Sequence, residues 1–184
     1  MLYIIGGTSR SGKSLLARNI LKEKLVPFFP LDGLTGMLKS AVPEHGIKHD
    51  MGFISKAEKT WKFNKSLFNH FIVTQESYTV EGDSILPLQV AKLKEKYFKN
   101  IKCCFLGYCT LSAKQKLDLV RTFHVGEKDW THKHDDEAML GMIEGMIQYS
   151  KYLKEECNKY NIAFFDVSED FENTQTKAFE FLVR

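Results

Sequence analysis

The residues with chemical potential sit close to the start of the chain, in the stretch GGTSRSGKS, Gly6 to Ser14, directly after the apolar run LYII. Gly7, Gly12, Lys13 and Ser14 fit G-x-x-x-x-G-K-[ST], a spacing at which successive backbone N–H groups can wrap the phosphates of a nucleotide. Glycine admits positive φ and lets the main chain approach a ligand closely, which such convergence needs. Binding is expected along the whole loop, from Gly7 through Thr8, Ser9, Arg10, Ser11, Gly12, Lys13 and Ser14 to Leu15. Lys13 would reach the β- and γ-phosphates, and the Ser14 hydroxyl would coordinate Mg²⁺.

Two carboxylates extend this chemistry. Asp32, in PLDG, is expected to end a second strand, and Glu81, in YTVEGD, a third. In open parallel sheets ligands bind outside the carboxyl ends of the strands. Phosphoryl transfer needs a group to orient or deprotonate the attacking hydroxyl and an acid near Mg²⁺, and a carboxylate serves in either role. Asp32 could instead cap the helix opening at GLTGML, and Glu81 could be a turn carboxylate beside Gly82, with Asp83 able to share its role.

A loop of this kind requires a buried strand before it and a helix after it. LYII and KSLLARNILKE supply them, the latter with Leu15, Leu16, Ile20 and Leu21 at helical spacing and an N-terminal dipole that favours anions. Strand-like and helix-like runs alternate to the end of the chain, which argues for an α/β fold with a mainly parallel sheet. Five strands are expected in LYIIG, VPFFPLD, SYTVEGD, IKCCFLGY and IAFFDVS, nearly continuous in hydrophobicity as strands buried on both faces are. Between them lie a long helix presenting Ala57, Trp61, Phe68 and Ile72, and one presenting Val90, Leu93 and Phe98. A third presents the stripe Met139, Met142, Met146, Leu153 and Cys157, and a last one Ala178, Phe179 and Leu182.

The 184 residues suit one domain. The 26 Lys and Arg against 23 Asp and Glu leave a formal charge of only +3, too little to imply nucleic acid or a membrane surface as partner. Without a leader-like segment or a long apolar run, a cytoplasmic protein is expected. Cys103, Cys104, Cys109 and Cys157 have no C-x-x-C spacing and read as reduced, buried thiols; a zinc site with His132 and His134 is the alternative.

IIGGTSRSGKS, LDG after the second strand and VEGDSILP at the third resemble the small P-loop phosphotransferases, which move the γ-phosphoryl group of ATP to a small molecule. VEGDSILP is similar to an element of uridine kinase and 2-phosphoglycerate kinase relatives. The resemblance implies a three-layer α/β/α fold with sheet order 2-3-1-4-5 and a helical lid over about residues 111–137. It implies catalytic roles for Lys13, Asp32 and Arg121, Mg²⁺ near Ser14 and Glu81, and a nucleoside, sugar or glycerate-like acceptor. In this resemblance the DVSED turn packs beside adenine. Lids of this kind often carry two arginines, whereas this one has Arg121 with Lys114, Lys116 and Lys128; either Arg10 helps or the transfer is less strongly stabilised. The segment AVPEHGIKHDMGF, with His45, Lys48, His49 and Asp50, would suit an anionic acceptor or form an ordinary connection. A nucleotide-dependent switch is the second reading, although neither D-x-x-G nor N-K-x-D occurs in the chain. A kinase-like binding module without chemistry is the third.

Overall fold

The computed structural model describes residues 1–48, 51–123 and 129–184. Five parallel strands form one sheet in the order β2-β3-β1-β4-β5: β1 Leu2–Gly7, β2 Phe28–Pro30, β3 Tyr78–Gly82, β4 Ile101–Gly107 and β5 Ala163–Asp166. The connections are helical: α1 Lys13–Lys24, α2 Leu31–Ala41, α3 Phe53–Val73, α4 Pro87–Tyr97, α5 Ala113–Thr122, α6 Asp136–Lys159 and α7 Phe171–Val183. This is the three-layer arrangement expected for strands whose two faces are both covered.

The pleat divides the core. Leu2, Ile4, Val80, Cys103 and Phe105 point to one face and pack with Ala57, Phe68 and Ile72 of α3 and Val90 and Leu93 of α4. Ile5, Cys104 and Leu106 point to the other and meet Leu16, Ala17 and Ile20 of α1, Leu117 and Val120 of α5, and Ala178 and Leu182 of α7. Helix α6 serves both clusters, Met139, Ile143 and Met146 on one side and Tyr149, Leu153 and Cys157 on the other.

Several expectations are corrected in detail. Strand β2 stops at Pro30, which has no N–H to continue a ladder, and the chain turns straight into α2 because Leu31 is drawn fully into the core. Asp32 therefore stands in the first turn of a helix rather than at a strand end, and its side chain makes no cap. Phe98 is 72% exposed: α4 has ended, and the tighter 3₁₀ turn Phe98–Asn100 rotates it off the inner face. On α6, Ile143 occupies the buried position expected of Met142, and on α1 Leu15 and Leu21 face outward. All four cysteines are free and buried. Among the described residues no helix is long and apolar enough to cross a membrane.

Two phenylalanines separate core from surface. Phe68→Ala, at a fully buried position, is expected to lower the unfolding free energy in urea by about 3–5 kcal/mol. Phe98→Ala is expected to change it by less than about 0.5 kcal/mol.

Candidate phosphate-binding and acceptor site

Between β1 and α1 the chain passes through three positive-φ residues, Gly7 at 138°, Arg10 at 62° and Gly12 at 93°. A Cβ on Gly7 would fall onto the Leu106 backbone of β4, and one on Gly12 would meet the Phe171 ring and the Gln175 side chain, so both positions require glycine. The loop is held close: Thr8 N donates to Leu106 O at 3.0 Å and Ser11 N to Thr8 O at 3.3 Å.

Four consecutive loop carbonyls are each taken by a side chain. Lys13 Nζ donates to Thr8 O at 2.8 Å, Tyr108 OH to Ser9 O at 3.0 Å, Lys116 Nζ to Arg10 O at 2.8 Å and Gln175 Nε2 to Ser11 O at 3.4 Å. Burial pushes the Tyr108 phenol well above its ordinary range, the Arg10 charge opposing, so it remains a donor. The Thr8 hydroxyl shares a 2.7 Å hydrogen bond with Ser150 of α6, whose oxygen also accepts from Tyr108 N at 3.2 Å.

The Thr8 and Ser11 amides are also spent within the protein, on Leu106 O and Thr8 O, so the donors still without a backbone partner lie at the start of α1. Helix α1 opens at Gly12 with no side-chain cap and no acidic residue in its first turn. Its first amides, those of Lys13, Ser14 and Leu15, have no intrahelical acceptor, and the ladder begins with Leu16 N to Gly12 O at 3.0 Å. An uncapped helix start offers both hydrogen-bond donors and positive potential to an anion.

The expected acids gather beside this loop. Ser14 Oγ donates to Glu81 Oε1 at 2.9 Å. Burial raises the Glu81 carboxyl above its ordinary range, with Lys13 and the Ser14 hydroxyl pulling it down and Asp32 and Asp83 pushing it up. Asp32 is exposed as a residue, yet neighbouring protein desolvates its carboxyl, which raises it first, with Asp83 second, against Lys13 and Lys56. Glu81 and the Ser14 hydroxyl form a hard-oxygen pair suited to Mg²⁺, which takes few protein ligands when phosphates supply the rest. No cluster of three or more metal-ligating side chains occurs among the described residues.

Asp83 has a partner that the sequence did not announce. Lys56 of α3 donates to both of its oxygens, at 3.2 and 3.3 Å, while Ser9 Oγ donates to Oδ2 at 3.1 Å and Tyr149 OH to the Asp83 carbonyl at 3.1 Å. The Asp83 carboxylate thereby ties the loop to α3, and its backbone carbonyl ties the same residue to α6. On the opposite flank, Asp166 Oδ1 accepts from Cys109 N and Ser168 N, both at 3.2 Å, and Thr110 N donates to Ser168 Oγ at 3.1 Å. These bonds join the ends of β4 and β5 where the DVSED turn begins.

The lid residues divide. Lys116, expected as one of several basic residues on a helix face, is buried; its ammonium lies 4.1 Å from the centroid of the Tyr108 ring. Burial, then the charges of Arg10 and Lys13, push it down to about 8. Arg121 instead braces its own segment. Its Nε and Nη2 donate to Asp136 Oδ1 at 3.0 and 2.8 Å, Nη1 to Thr131 O at 2.8 Å and Nη2 to His134 O at 2.9 Å. His45 packs its ring at 5.0 Å from that of Phe63 on α3. His49, Asp50 and Lys128 lie outside the described residues.

No model of a known protein family matches the sequence, and no curated protein sequence matches it. Solved structures do match in shape. A gluconokinase from Sinorhizobium meliloti is similar at a TM-score of 0.60 and 16% identity, over 99% of this chain and 91% of that one. A shikimate kinase from Bacteroides thetaiotaomicron is similar at 0.59 and 15%, over 99% and 98%. A sugar kinase from a Janibacter species is similar at 0.59 and 14%, over 98% and 93%. At these identities the likeness is one of architecture, and the chain has the α/β fold of the small P-loop kinases.

Proposed function

We propose that this chain is an ATP- and Mg²⁺-dependent kinase that transfers the γ-phosphoryl group to a hydroxyl of a small molecule: a nucleoside, a sugar or a glycerate-like acid. The observation that carries the reading is the loop itself, with four carbonyls occupied by side chains and the amides at the start of α1 uncapped. The kinase neighbours of the same fold support it.

The roles follow from placement. The amides of Lys13, Ser14 and Leu15, which have no acceptor at the start of α1, would hold the phosphates, and Lys13 would exchange the Thr8 carbonyl for phosphate oxygens. Ser14 and Glu81 hold Mg²⁺, which when bound offsets negative charge on the transferring group. Asp32, exposed in the cleft and raised by its surroundings, accepts the acceptor's proton as that oxygen attacks the γ-phosphorus and the bond to ADP breaks. Lys56 and Asp83 fix the wall beside it. For Arg121 to meet the transferring group, its bonds to Asp136, Thr131 and His134 must be exchanged.

The test is ADP production by the purified chain with ATP and Mg²⁺ across a panel of nucleosides, sugars and glycerate derivatives. Acceptor-dependent turnover is expected; turnover indifferent to every acceptor, with nucleotide binding intact, would reject the kinase reading. Lys13→Ala is expected to weaken ATP binding by about 10- to 100-fold in calorimetry, the loss of charge-assisted bonds, and to lower the unfolding free energy by about 1 kcal/mol as the Thr8 carbonyl loses its side-chain donor.

Lys116 makes the same binding sensitive to pH. Its ammonium faces Arg10, Lys13 and Tyr108, and it carries charge below about 8. Phosphates favour the protonated form, so affinity is full near neutrality and is lost as pH rises through that value. Between about pH 7.5 and 9.5, where phosphate oxygens are already ionised, ATP affinity is expected to fall about three- to tenfold. Lys116→Met is expected to flatten the profile.

A further inference from the structure

Arg10 is held at both ends. Its backbone is in the left-handed region at φ 62°, with the carbonyl gripped by Lys116 Nζ at 2.8 Å. Its guanidinium, 18% exposed, lies with Nη2 2.8 Å from Oδ2 of Asp129, a side chain only 1% exposed. The other oxygen of Asp129 is fixed in turn, accepting from Thr131 N at 3.1 Å and Thr131 Oγ1 at 2.9 Å. The Thr131 carbonyl receives Arg121 Nη1 at 2.8 Å, so the arginine expected to reach the phosphates secures the turn that carries Asp129.

We propose that Asp129 is a positioning residue that sets the Arg10 guanidinium against the incoming triphosphate, so that Arg10 supplies the forked cation at this site. The inference rests on the nucleotide-binding reading above. A guanidinium has five N–H donors in a rigid fork, and one contact with Asp129 leaves others for phosphate oxygens. A flexible side chain held at both ends before its ligand arrives loses little freedom on binding, which is the value of preorganisation. The pairing also has an electrostatic sense: a carboxylate this close to a phosphate loop repels the ligand unless a cation is held over it. Arg10 and Lys13 lie near enough to Lys116 to disfavour its charge, an excess of positive charge that a polyanion relieves.

The experiment is calorimetric titration of the full chain and its variants with ATP plus Mg²⁺ and, separately, with AMP. Arg10→Ala and Asp129→Asn are each expected to weaken ATP by about fivefold or more and AMP by less than about twofold. Asp129→Asn added to Arg10→Ala is expected to cost nothing further, because the carboxylate acts through the guanidinium. Arg10→Lys, which keeps the charge and loses the fork, is expected to recover only a minor part of the affinity. If Asp129→Asn fails to fold, Thr131→Val, which removes one bond orienting the carboxylate, is expected to show the same selective loss at smaller size.

Unchanged ATP affinity in Asp129→Asn, or in Thr131→Val where that variant stands in for it, overturns the proposal. Tighter binding does so as well, since it marks Asp129 as a competitor for Arg10. Equal losses of ATP and AMP overturn it too, being the mark of a segment that only packs. A parent chain that binds no ATP overturns the site reading and this inference together, whereas a parent that binds ATP beside an unaffected Asp129→Asn overturns the inference alone.

Discussion

The direction of four peptide groups is the constraint on which this molecule is organised. A phosphate loop works only if its N–H groups face inward, and each peptide that turns its N–H to a ligand must turn a carbonyl somewhere else. Here those carbonyls, from Thr8 to Ser11, are met by α1, the residue after β4, α5 and α7. Placing these donors requires the sheet order that brings β4 beside β1 and the helices that flank them. The architecture and the loop are two descriptions of one set of hydrogen bonds.

The acidic side of the cleft shows a different economy of charge. Glu81, Asp83 and Asp32 would repel one another in an empty pocket, yet each has a local counterweight: the Ser14 hydroxyl, Lys56 and the nearby Lys13. Lys56 distinguishes Asp83 from Asp32, because a carboxylate bound by an ammonium and a serine hydroxyl is fixed, whereas Asp32 stays open to solvent. A fixed acid builds a wall and an accessible one can exchange protons with a ligand.

How much of this could be read from the chain depends on how far apart the cooperating residues lie. The loop was legible because its glycines, lysine and serine are contiguous and their backbone conformations are local. The strands were legible because burial on both faces leaves a continuous apolar run. Asp32 was expected at a strand end and stands one element later, since whether Pro30 ends a strand or opens a helix depends on where Leu31 is buried. Lys56, Tyr108, Gln175 and Asp129 were missed as site residues: each meets the site across a gap in sequence that only packing closes, and none stands in a distinctive pattern. Lys116 did carry a signal, since with Ala113, Leu117 and Val120 it falls at i, i+3, i+4 and i+7 on the inner face of α5, but a lysine at such a position is easily read as solvated.

Gln175 reaches Ser11 across 164 positions of sequence, and Phe171 packs where a side chain on Gly12 would stand. The last helix therefore helps to shape the first loop: the Ser11 carbonyl and the space beside Gly12 are both met from α7. A chain that ended before α7 would keep the glycine-rich motif and lose part of the frame that holds it.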